Sequence, residues 1–252
     1  MATTPGLGRL AFLILLGCIA CACGASSAAS TRSIVALGDS VPRGQSCRCT
    51  PYPELSADGL SRSTGESVKA TNDSVSGYTS ANVLAQLNRN PKVIEHVRAA
   101  DAIEIEIGAN DVGYRKSCGT NVSCYAPRMP ALKANLGAIV RRVKQLTTGH
   151  RALVVLLDYW GVWLGGSYAK AHGAAYVAAA EEITDRVDTA IKNTARQSDS
   201  AYVDLRAAFK GPDYAYDETH YLSRDGDHPN AAGHRKIADA TETVIEKALG
   251  FR

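Results

Sequence analysis

Apolar residues recur along the chain in two alternating patterns, short runs and longer stretches with apolar positions three and four residues apart. The short, mainly apolar runs predict buried strands, at 33–37, 101–107, 153–157 and 201–205. The longer stretches predict amphipathic helices, at 79–87, 132–146, 176–191 and 231–249. Strands that alternate with helices indicate an α/β protein, a single-domain three-layer αβα sandwich with a parallel sheet covered on both faces.

Two stretches fit this scheme less directly. After the first strand the sequence is typical of a long polar loop that continues to about Asn72. The second strand alternates isoleucine with Glu104 and Glu106, a pattern of sheets with one wet face rather than of a central strand. Two explanations are open: the glutamates have basic partners under a helix, or this face of the sheet is open to solvent.

The first 23 residues predict a secretory signal peptide. Arg9 precedes the wholly apolar residues 10–16, and small residues and cysteines follow. Residues 24–32 are rich in serine and alanine and predict a flexible tether. The folded domain is therefore expected over residues 33–252.

The end of the signal region allows two kinds of processing. Leu15-Leu16-Gly17-Cys18 resembles a bacterial lipobox, which implies cleavage before Cys18 and a diacylglycerol on its sulfur. The alternative is ordinary cleavage after Ala20-Cys21-Ala22, which would release a soluble protein. The expected location is accordingly outside the cytoplasm, either secreted or lipid-anchored at the outer face of the bacterial cytoplasmic membrane.

Composition and charge narrow the class of protein. The 252 residues are 45% apolar and 21% charged, which is ordinary for a folded globular chain and too apolar for disorder. The 28 basic and 25 acidic residues give a formal charge of +3, without a dense basic cluster, which argues against nucleic-acid binding. No run reaches the roughly 20 apolar residues of a spanning helix, which excludes a polytopic membrane protein. A monomer is expected.

Four cysteines lie in the predicted domain: Cys47, Cys49, Cys118 and Cys124. An even number in an exported chain indicates two disulfides. Cys118 with Cys124 would close a short loop. The remaining Cys47–Cys49 ring would be very small, so pairing between the two loops stays open. A zinc site is disfavoured, because the spacings are not the usual ones for zinc ligands.

Polar residues that could take part in catalysis stand just beyond the predicted strands or just before the last helix. They occur in four blocks: Gly38-Asp39-Ser40, Ser76-Gly77, Gly108-Ala109-Asn110-Asp111 and Asp225-Gly226-Asp227-His228-Pro229. In open parallel sheets, ligands bind beyond the carboxyl ends of the strands. We therefore expect these blocks to meet at one crevice.

The residue types in these blocks match the needs of acyl transfer. Ser40 can act as the nucleophile, His228 as its base, and Asp225, three positions before the histidine, as the acceptor that orients the imidazole. The backbone N–H groups of Ser40 and Gly77 and the side-chain amide of Asn110 can stabilise the oxyanion. Gly77 has no Cβ, so its N–H can approach a substrate closely.

These four blocks, in this order, resemble those of the SGNH hydrolases, the Gly-Asp-Ser class of esterases and lipases. The family's serine, glycine, asparagine and histidine correspond to Ser40, Gly77, Asn110 and His228, and its Asp-x-x-His motif places the acid at Asp225. Several neighbouring stretches are similar to those of secreted actinobacterial members. The resemblance covers almost the whole domain and implies a flavodoxin-like fold and hydrolysis of an ester or similar acyl bond without metal or organic cofactor.

Other acidic and histidine residues receive lesser roles. Asp227 is the alternative orienting acid, but a residue adjacent to the histidine usually points away from it. Asp39 is expected to brace the turn before Ser40, and Asp111 to fix the Asn110 loop. The other histidines lack a partner at a chemical spacing and are expected at the surface or at helix caps: His96, His150, His172, His220 and His234.

The substrate is expected to be a small-molecule, lipid or glycan ester. Trp160 and Trp163 follow a predicted strand and are candidate substrate-binding residues, as the wall of an acyl pocket or as a platform for a sugar. The alternative is that one tryptophan is core and the other anchors a loop. Three functions are considered: an exported serine esterase or lipase, an acyltransferase or carbohydrate deacetylase-type esterase with the same triad, and a non-catalytic envelope lipoprotein.

Overall fold

A computed structural model describes residues 1–4 and 31–249. Five strands form one parallel sheet in the order β2-β1-β3-β4-β5 across this part of the chain. The strands are β1 (Arg32–Gly38), β2 (Val68–Asn72), β3 (Ala102–Glu106), β4 (Leu153–Leu157) and β5 (Ala201–Val203).

Helices cover both faces of this sheet. They are α1 (Ser40–Arg43), α2 (Tyr52–Thr64), α3 (Ser80–Arg89), α4 (Pro91–Ala99), α5 (Met129–Leu146), α6 (Gly166–Ala171), α7 (Ala174–Gln197), α8 (Leu205–Lys210) and α9 (Ala231–Leu249). α2 and α8 pack with α9 in one layer, and α3, α4 and α7 pack with α5 in the other. The predicted three-layer αβα sandwich is confirmed.

The pattern-based elements are confirmed where large apolar residues carry the signal. Residues 153–157 form β4 and residues 231–249 form α9, with the predicted bounds. The last strand ends at Val203, two residues early, because Asp204 accepts a hydrogen bond from the Ala207 N–H at 2.7 Å and caps α8.

The prediction of a loop up to Asn72 is wrong, because this stretch contains α2 and β2. The buried face of α2 includes the large Tyr52 and Leu60, but the buried Ser56, Ala57 and Gly59 between them are small or polar and weaken the apolar periodicity. β2 lies at the edge of the sheet, and only Val68 among its residues is fully buried. Packing of α2 against α9 and of β2 against β1 therefore accompanies an apolar pattern that is weak in the sequence.

The amino-terminal predictions fall mainly outside the described ranges. The signal peptide, apart from residues 1–4, and Cys18 are among the residues not described, as is most of the tether. β1 begins at Arg32, one residue before the predicted start of the domain. None of the described helices is both long enough and apolar enough to cross a membrane.

Neither explanation for the alternating second strand is correct. Glu104 and Glu106 are fully buried, and the Glu104 carboxyl makes no hydrogen bond with any described residue. Burial raises the pKa of both carboxyls well above their usual range, and the nearby carboxyls of Glu54 and Glu242 raise that of Glu104 further. Burial therefore favours the neutral form of both side chains, which lets an acidic sequence form a central strand.

The buried carboxyls predict how stability depends on pH. A raised folded-state pKa gives stability that is complete below the unfolded pKa and is lost as the pH rises through the folded pKa. Glu104→Gln keeps a neutral side chain at every pH, so its free energy of unfolding should fall less than that of the wild type between about pH 5 and about pH 9. Urea unfolding across this range measures the difference, which can reach about 1.4 kcal/mol per pH unit.

The exposed Glu95 of α4 provides the control, since Glu95→Gln should leave the pH dependence of the wild type unchanged. Parallel stability curves for the wild type and Glu104→Gln would show that Glu104 is ionised in the folded protein at neutral pH.

Candidate active site

The turn after β1 is held by a buried aspartate. Asp39 Oδ1 accepts a hydrogen bond from the Val41 N–H at 3.0 Å and so caps α1, and its Oδ2 accepts one from the Tyr159 hydroxyl at 2.8 Å. Burial raises the pKa of Asp39 to about 6, and the hydrogen bonds from Val41 and Tyr159 partly oppose this rise. Asp39 therefore braces the turn, as predicted, and fixes Ser40 as the first residue of α1.

Asp225 holds His228 through two hydrogen bonds. Its Oδ2 lies 2.9 Å from His228 Nδ1, and its Oδ1 accepts a hydrogen bond from the His228 backbone N–H at 3.1 Å. A carboxylate only accepts hydrogen bonds, so Nδ1 carries the proton and Nε2 of the neutral ring is left as an acceptor. The loop is closed by the Ser223 N–H, which donates to the His228 carbonyl at 2.8 Å.

The same loop sets the charge of Asp225. Burial tends to raise its pKa, but hydrogen bonds from the Ser46 side chain and from the backbone N–H groups of His228 and Asp227 outweigh burial and lower it to about 2. Asp225 is therefore ionised throughout the neutral pH range. Asp227 is less well placed, because its Oδ2 is 4.0 Å from His228 Nδ1 and its side chain is half-exposed.

The loops after β2 and β3 are fastened to each other. The Asn110 side-chain amide donates to the Tyr78 carbonyl at 3.0 Å. Asp111 accepts hydrogen bonds from the Ser80 N–H at 2.8 Å and the Ser80 hydroxyl at 2.6 Å, so it fixes this loop as predicted. Asn110 is exposed, and its amide nitrogen carries a second hydrogen that remains available to a ligand.

Gly77 lies beside this junction but does not line the cavity at Ser40. Its φ of +80° favours glycine, whereas a Cβ at this position would meet no atom within 4 Å. The positive φ of the backbone thus requires glycine at this position, and a lack of space for a Cβ does not.

A cavity of about 370 Å³ opens beyond the carboxyl ends of the strands, and Ser40, Asn110 and His228 all line it. The structure thus brings these three predicted residues together. The hydrogen bond between Asp225 and His228 places Asp225, the fourth predicted residue, next to them. The Ser40 hydroxyl makes no hydrogen bond to another described residue. Catalytic hydrogen bonds of ligand-free enzymes often form only when substrate is bound.

Aromatic side chains form one wall of this reaction cavity. Trp160 and Trp163 both line it, although both are almost fully buried. The Trp163 indole N–H donates to the Val112 carbonyl at 2.9 Å, and Trp160 stacks on Phe209 with ring centroids 4.3 Å apart. Each tryptophan is therefore both a core residue and a cavity residue, so the two sequence-based alternatives are not exclusive.

Sequence reasoning missed four other residues of this wall: Tyr114, Tyr159, His172 and Tyr176. His172 is exposed, as predicted, but it also lines the cavity, with its ring centroid 4.8 Å from that of Tyr176. Tyr159 stands just beyond the end of β4, so the rule that located Ser40 could have found it. The other rings come from distant segments and carry no local signal.

His234 and His96 differ from the expectation that each lacks a partner. His234 is fully buried, its Nδ1 accepts a hydrogen bond from the Tyr52 N–H at 3.3 Å, and burial lowers its pKa to about 4. His96 Nδ1 lies 2.8 Å from Asp73 Oδ2. Both contacts join segments far apart in the sequence, so no local spacing could predict them.

Two disulfides close short loops, Cys47–Cys49 with Cα atoms 5.1 Å apart and Cys118–Cys124 with Cα atoms 5.7 Å apart. The open possibility of pairing between the two loops is thus not the arrangement in the structure. The sulfurs of Cys47 and Cys49 and a ring nitrogen of His234 form a potential metal-ligand group, all within 4.8 Å of one another. Because the two sulfurs are bonded to each other, they offer no thiolate to a metal.

The first of these loops also contacts the acid–base pair. Ser46 directly precedes Cys47, and its side chain helps to lower the pKa of Asp225. The Ser223 hydroxyl donates to the Ser46 carbonyl at 3.4 Å. Ser46 was not predicted, because it has no motif and its relation to Asp225 arises only in the folded chain.

Comparisons with known proteins agree with this geometry. A family model described as GDSL-like lipase/acylhydrolase matches residues 36–236. A search of the curated proteins finds no match. Among solved structures, a lipase from goat rumen metagenome, Lip_vut3, is 21% identical, has a TM-score of 0.65, and the match covers 87% of this chain and 98% of that one.

A second structural neighbour is the acetylxylan esterase Axe2 from Geobacillus stearothermophilus. It is 20% identical, with a TM-score of 0.61, and the match covers 88% of this chain and 95% of that one. At these identities the structural similarity shows the fold, and the family model adds the class of activity. This chain therefore belongs to the GDSL-like lipase/acylhydrolase family and is an SGNH-type serine ester hydrolase.

Proposed function

We propose that the protein hydrolyses carboxylic acyl esters through a triad of Ser40, His228 and Asp225 and an acyl-enzyme intermediate. The main support is the 2.9 Å contact between Asp225 and His228 Nδ1, because it leaves the other ring nitrogen to act as a base in the cavity that Ser40 lines. An ionised Asp225 stabilises the imidazolium that forms when the ring takes a proton.

In the first half of the reaction, Ser40 Oγ attacks the carbonyl carbon of the ester and its proton passes to His228 Nε2. The carbonyl oxygen becomes an oxyanion, which the backbone N–H groups of Ser40 and Gly77 and the Asn110 amide stabilise. The bond between the carbonyl carbon and the alkoxy oxygen then breaks. The leaving alcohol takes the proton from His228, and the acyl group remains on Ser40.

In the second half, a water molecule attacks the acyl-enzyme and gives one proton to His228 Nε2. The same donors stabilise the second oxyanion. The bond to Ser40 Oγ then breaks, the serine oxygen takes the proton back from His228, and the carboxylic acid leaves. The enzyme returns to its starting state without an external oxidant or reductant.

Replacement of the nucleophile gives the first test of the triad. Ser40→Ala should lower kcat for a short-chain p-nitrophenyl ester on the order of 10³-fold or more and abolish labelling by a fluorophosphonate probe. Ser74 is a control at the same edge of the sheet, since it follows β2 closely and is buried. Ser74→Ala should keep both activity and labelling, and an active, labelled Ser40→Ala protein would exclude the proposed nucleophile.

A matched pair of substitutions tests which acid orients His228. Asp225→Asn removes the ionised acceptor and should lower kcat on the order of 10³- to 10⁴-fold. Asp227→Asn removes the carboxylate that is 4.0 Å away and should lower kcat by less than about 10-fold. Steady-state kinetics of the two variants decide the point, and the reverse order of effects would assign the role to Asp227.

A sugar ester is the second candidate substrate. One structural neighbour is an acetylxylan esterase, and the reaction cavity has an aromatic wall with an exposed ring at Tyr114. Aromatic rings pack against sugar faces as well as against acyl chains. Carbohydrate deacetylation is therefore proposed beside hydrolysis of simple esters.

We also propose that the protein is exported and lipid-anchored through Cys18. The support is the sequence Leu15-Leu16-Gly17-Cys18 after an apolar core. The mass of the mature protein from the producing cell should correspond to a chain that begins at a diacylglycerol-modified Cys18, and Cys18→Ala should abolish the modification. A mature chain that begins at residue 23 without lipid would instead support ordinary secretion.

A further inference from the structure

A second cavity, of about 160 Å³, lies beside the reaction cavity. The two share Trp160, Gly161 and Leu164 in their walls, so this segment forms part of the boundary between them. Tyr216 lines the second cavity and is 66% exposed, which places an opening to solvent there. A ligand with its ester group at Ser40, and long enough to pass Trp160, would reach this space.

The charged groups that line this second cavity are balanced: three are cationic and three anionic, namely Lys170, Arg206, Lys210, Glu181, Asp217 and Glu218. Most of these charges have partners. Lys170 Nζ lies 2.6 Å from Asp217 Oδ2, and Lys210 Nζ lies 3.6 Å from Glu218 Oε1 and 4.0 Å from Glu181 Oε1. The lining thus presents donors and acceptors side by side and little net charge.

This balance decides which class of ligand fits. To form an ion pair with this lining, a charged ligand would have to break an ion pair that already exists. An alkyl chain would remove water from the charged groups without replacing their hydrogen bonds. A hydroxyl group both donates and accepts, so it can bind a lysine and a carboxylate together. A neutral polyhydroxylated ligand is therefore favoured.

Aromatic rings add a surface for the apolar face of such a ligand. The ring of Tyr216 occupies the space that a Cβ on residue 211 would need, since such an atom would lie 2.5 Å from Tyr216 Cε2. The Tyr216 N–H donates to the Lys210 carbonyl at 2.8 Å, so both its ring and its backbone are held in place. An exposed but fixed aromatic ring loses little conformational freedom when a ligand packs on it.

We propose that this second cavity is a sugar-binding subsite, which holds a neutral sugar unit on the alcohol side of an ester bound at Ser40. The inference rests on the proposed esterase function and specifies its substrate as an esterified glycan. Tyr216 supplies the packing surface, and the Lys210 and Glu181 side chains supply a donor and an acceptor for sugar hydroxyls.

Hydrolysis of two ester types tests the subsite. Tyr216→Ala should lower kcat/KM for acetylated xylotriose by about 3- to 10-fold, the effect of one aromatic contact, and change that for p-nitrophenyl acetate by less than about 2-fold. Tyr216→Phe keeps the ring and should retain wild-type activity on both esters. Glu181→Gln should lower activity on the sugar ester alone, since Glu181 is exposed and lies outside the reaction cavity.

Three results would overturn the subsite. The first is an equal loss on both esters in Tyr216→Ala, and the second is the same loss in Tyr216→Phe as in Tyr216→Ala. The third, measured with p-nitrophenyl octanoate as an additional substrate, is a selective loss on that ester, which would mean that the cavity takes an acyl chain.

Binding measured without turnover separates the subsite from the catalytic proposal. Calorimetric titration of the Ser40→Ala protein with xylotriose, cellotriose and chitotriose should detect binding of at least one trisaccharide. In the Ser40→Ala/Tyr216→Ala double variant this binding should be about 3- to 10-fold weaker. Binding of none of the three, or binding insensitive to Tyr216, would overturn the subsite even if ester hydrolysis depends on Ser40. Tyr216-dependent binding in a protein that hydrolyses no ester would refute the proposed function and leave the subsite.

Discussion

Parallel strands all run in the same direction and must end at the same edge of the sheet, and the reaction cavity depends on this constraint. β1 and β3 end opposite each other at Gly38 and Glu106, so close that a Cβ on residue 38 would lie 2.2 Å from the Glu106 carbonyl oxygen. The turns that carry Ser40 and Asn110 begin directly beyond these ends. The loop before α9 then has only to bring His228 to the same edge.

Carboxyl groups near this edge differ in charge because their surroundings differ. Glu104 and Glu106 are enclosed within the sandwich, where burial raises their pKa and favours the neutral form. Asp225 is partly exposed and accepts several hydrogen bonds, which keep it ionised. The negative charge at hydrogen-bond distance from the His228 ring therefore comes from a loop at the surface.

The segment after β4 connects the chemistry with the choice of substrate. Tyr159 holds Asp39, which caps the helix that begins at Ser40. Trp160, the next residue, contributes to the walls of both cavities. One short stretch of chain thus supports the reacting serine on one side and shapes the space for the rest of the ester on the other.

The sequence by itself determined the α/β sandwich, the family and the four blocks around Ser40, Gly77, Asn110 and His228. These features are readable because large apolar residues set the periodicity, and because a strand end followed by glycine and a polar residue is a local pattern. The tertiary structure alone showed that α2 exists, since small or polar residues separate the large Tyr52 and Leu60 on its buried face and hide the apolar pattern of a helix that packs against α9.

The tertiary structure also decided the raised pKa of Glu104, the effect of Ser46 on the pKa of Asp225, and the pairing of charges in the second cavity. Each of these depends on residues that are not neighbours in the chain. Burial and hydrogen bonding across such distances set the charge of a carboxyl, and neither can be read from the neighbouring residues in the sequence.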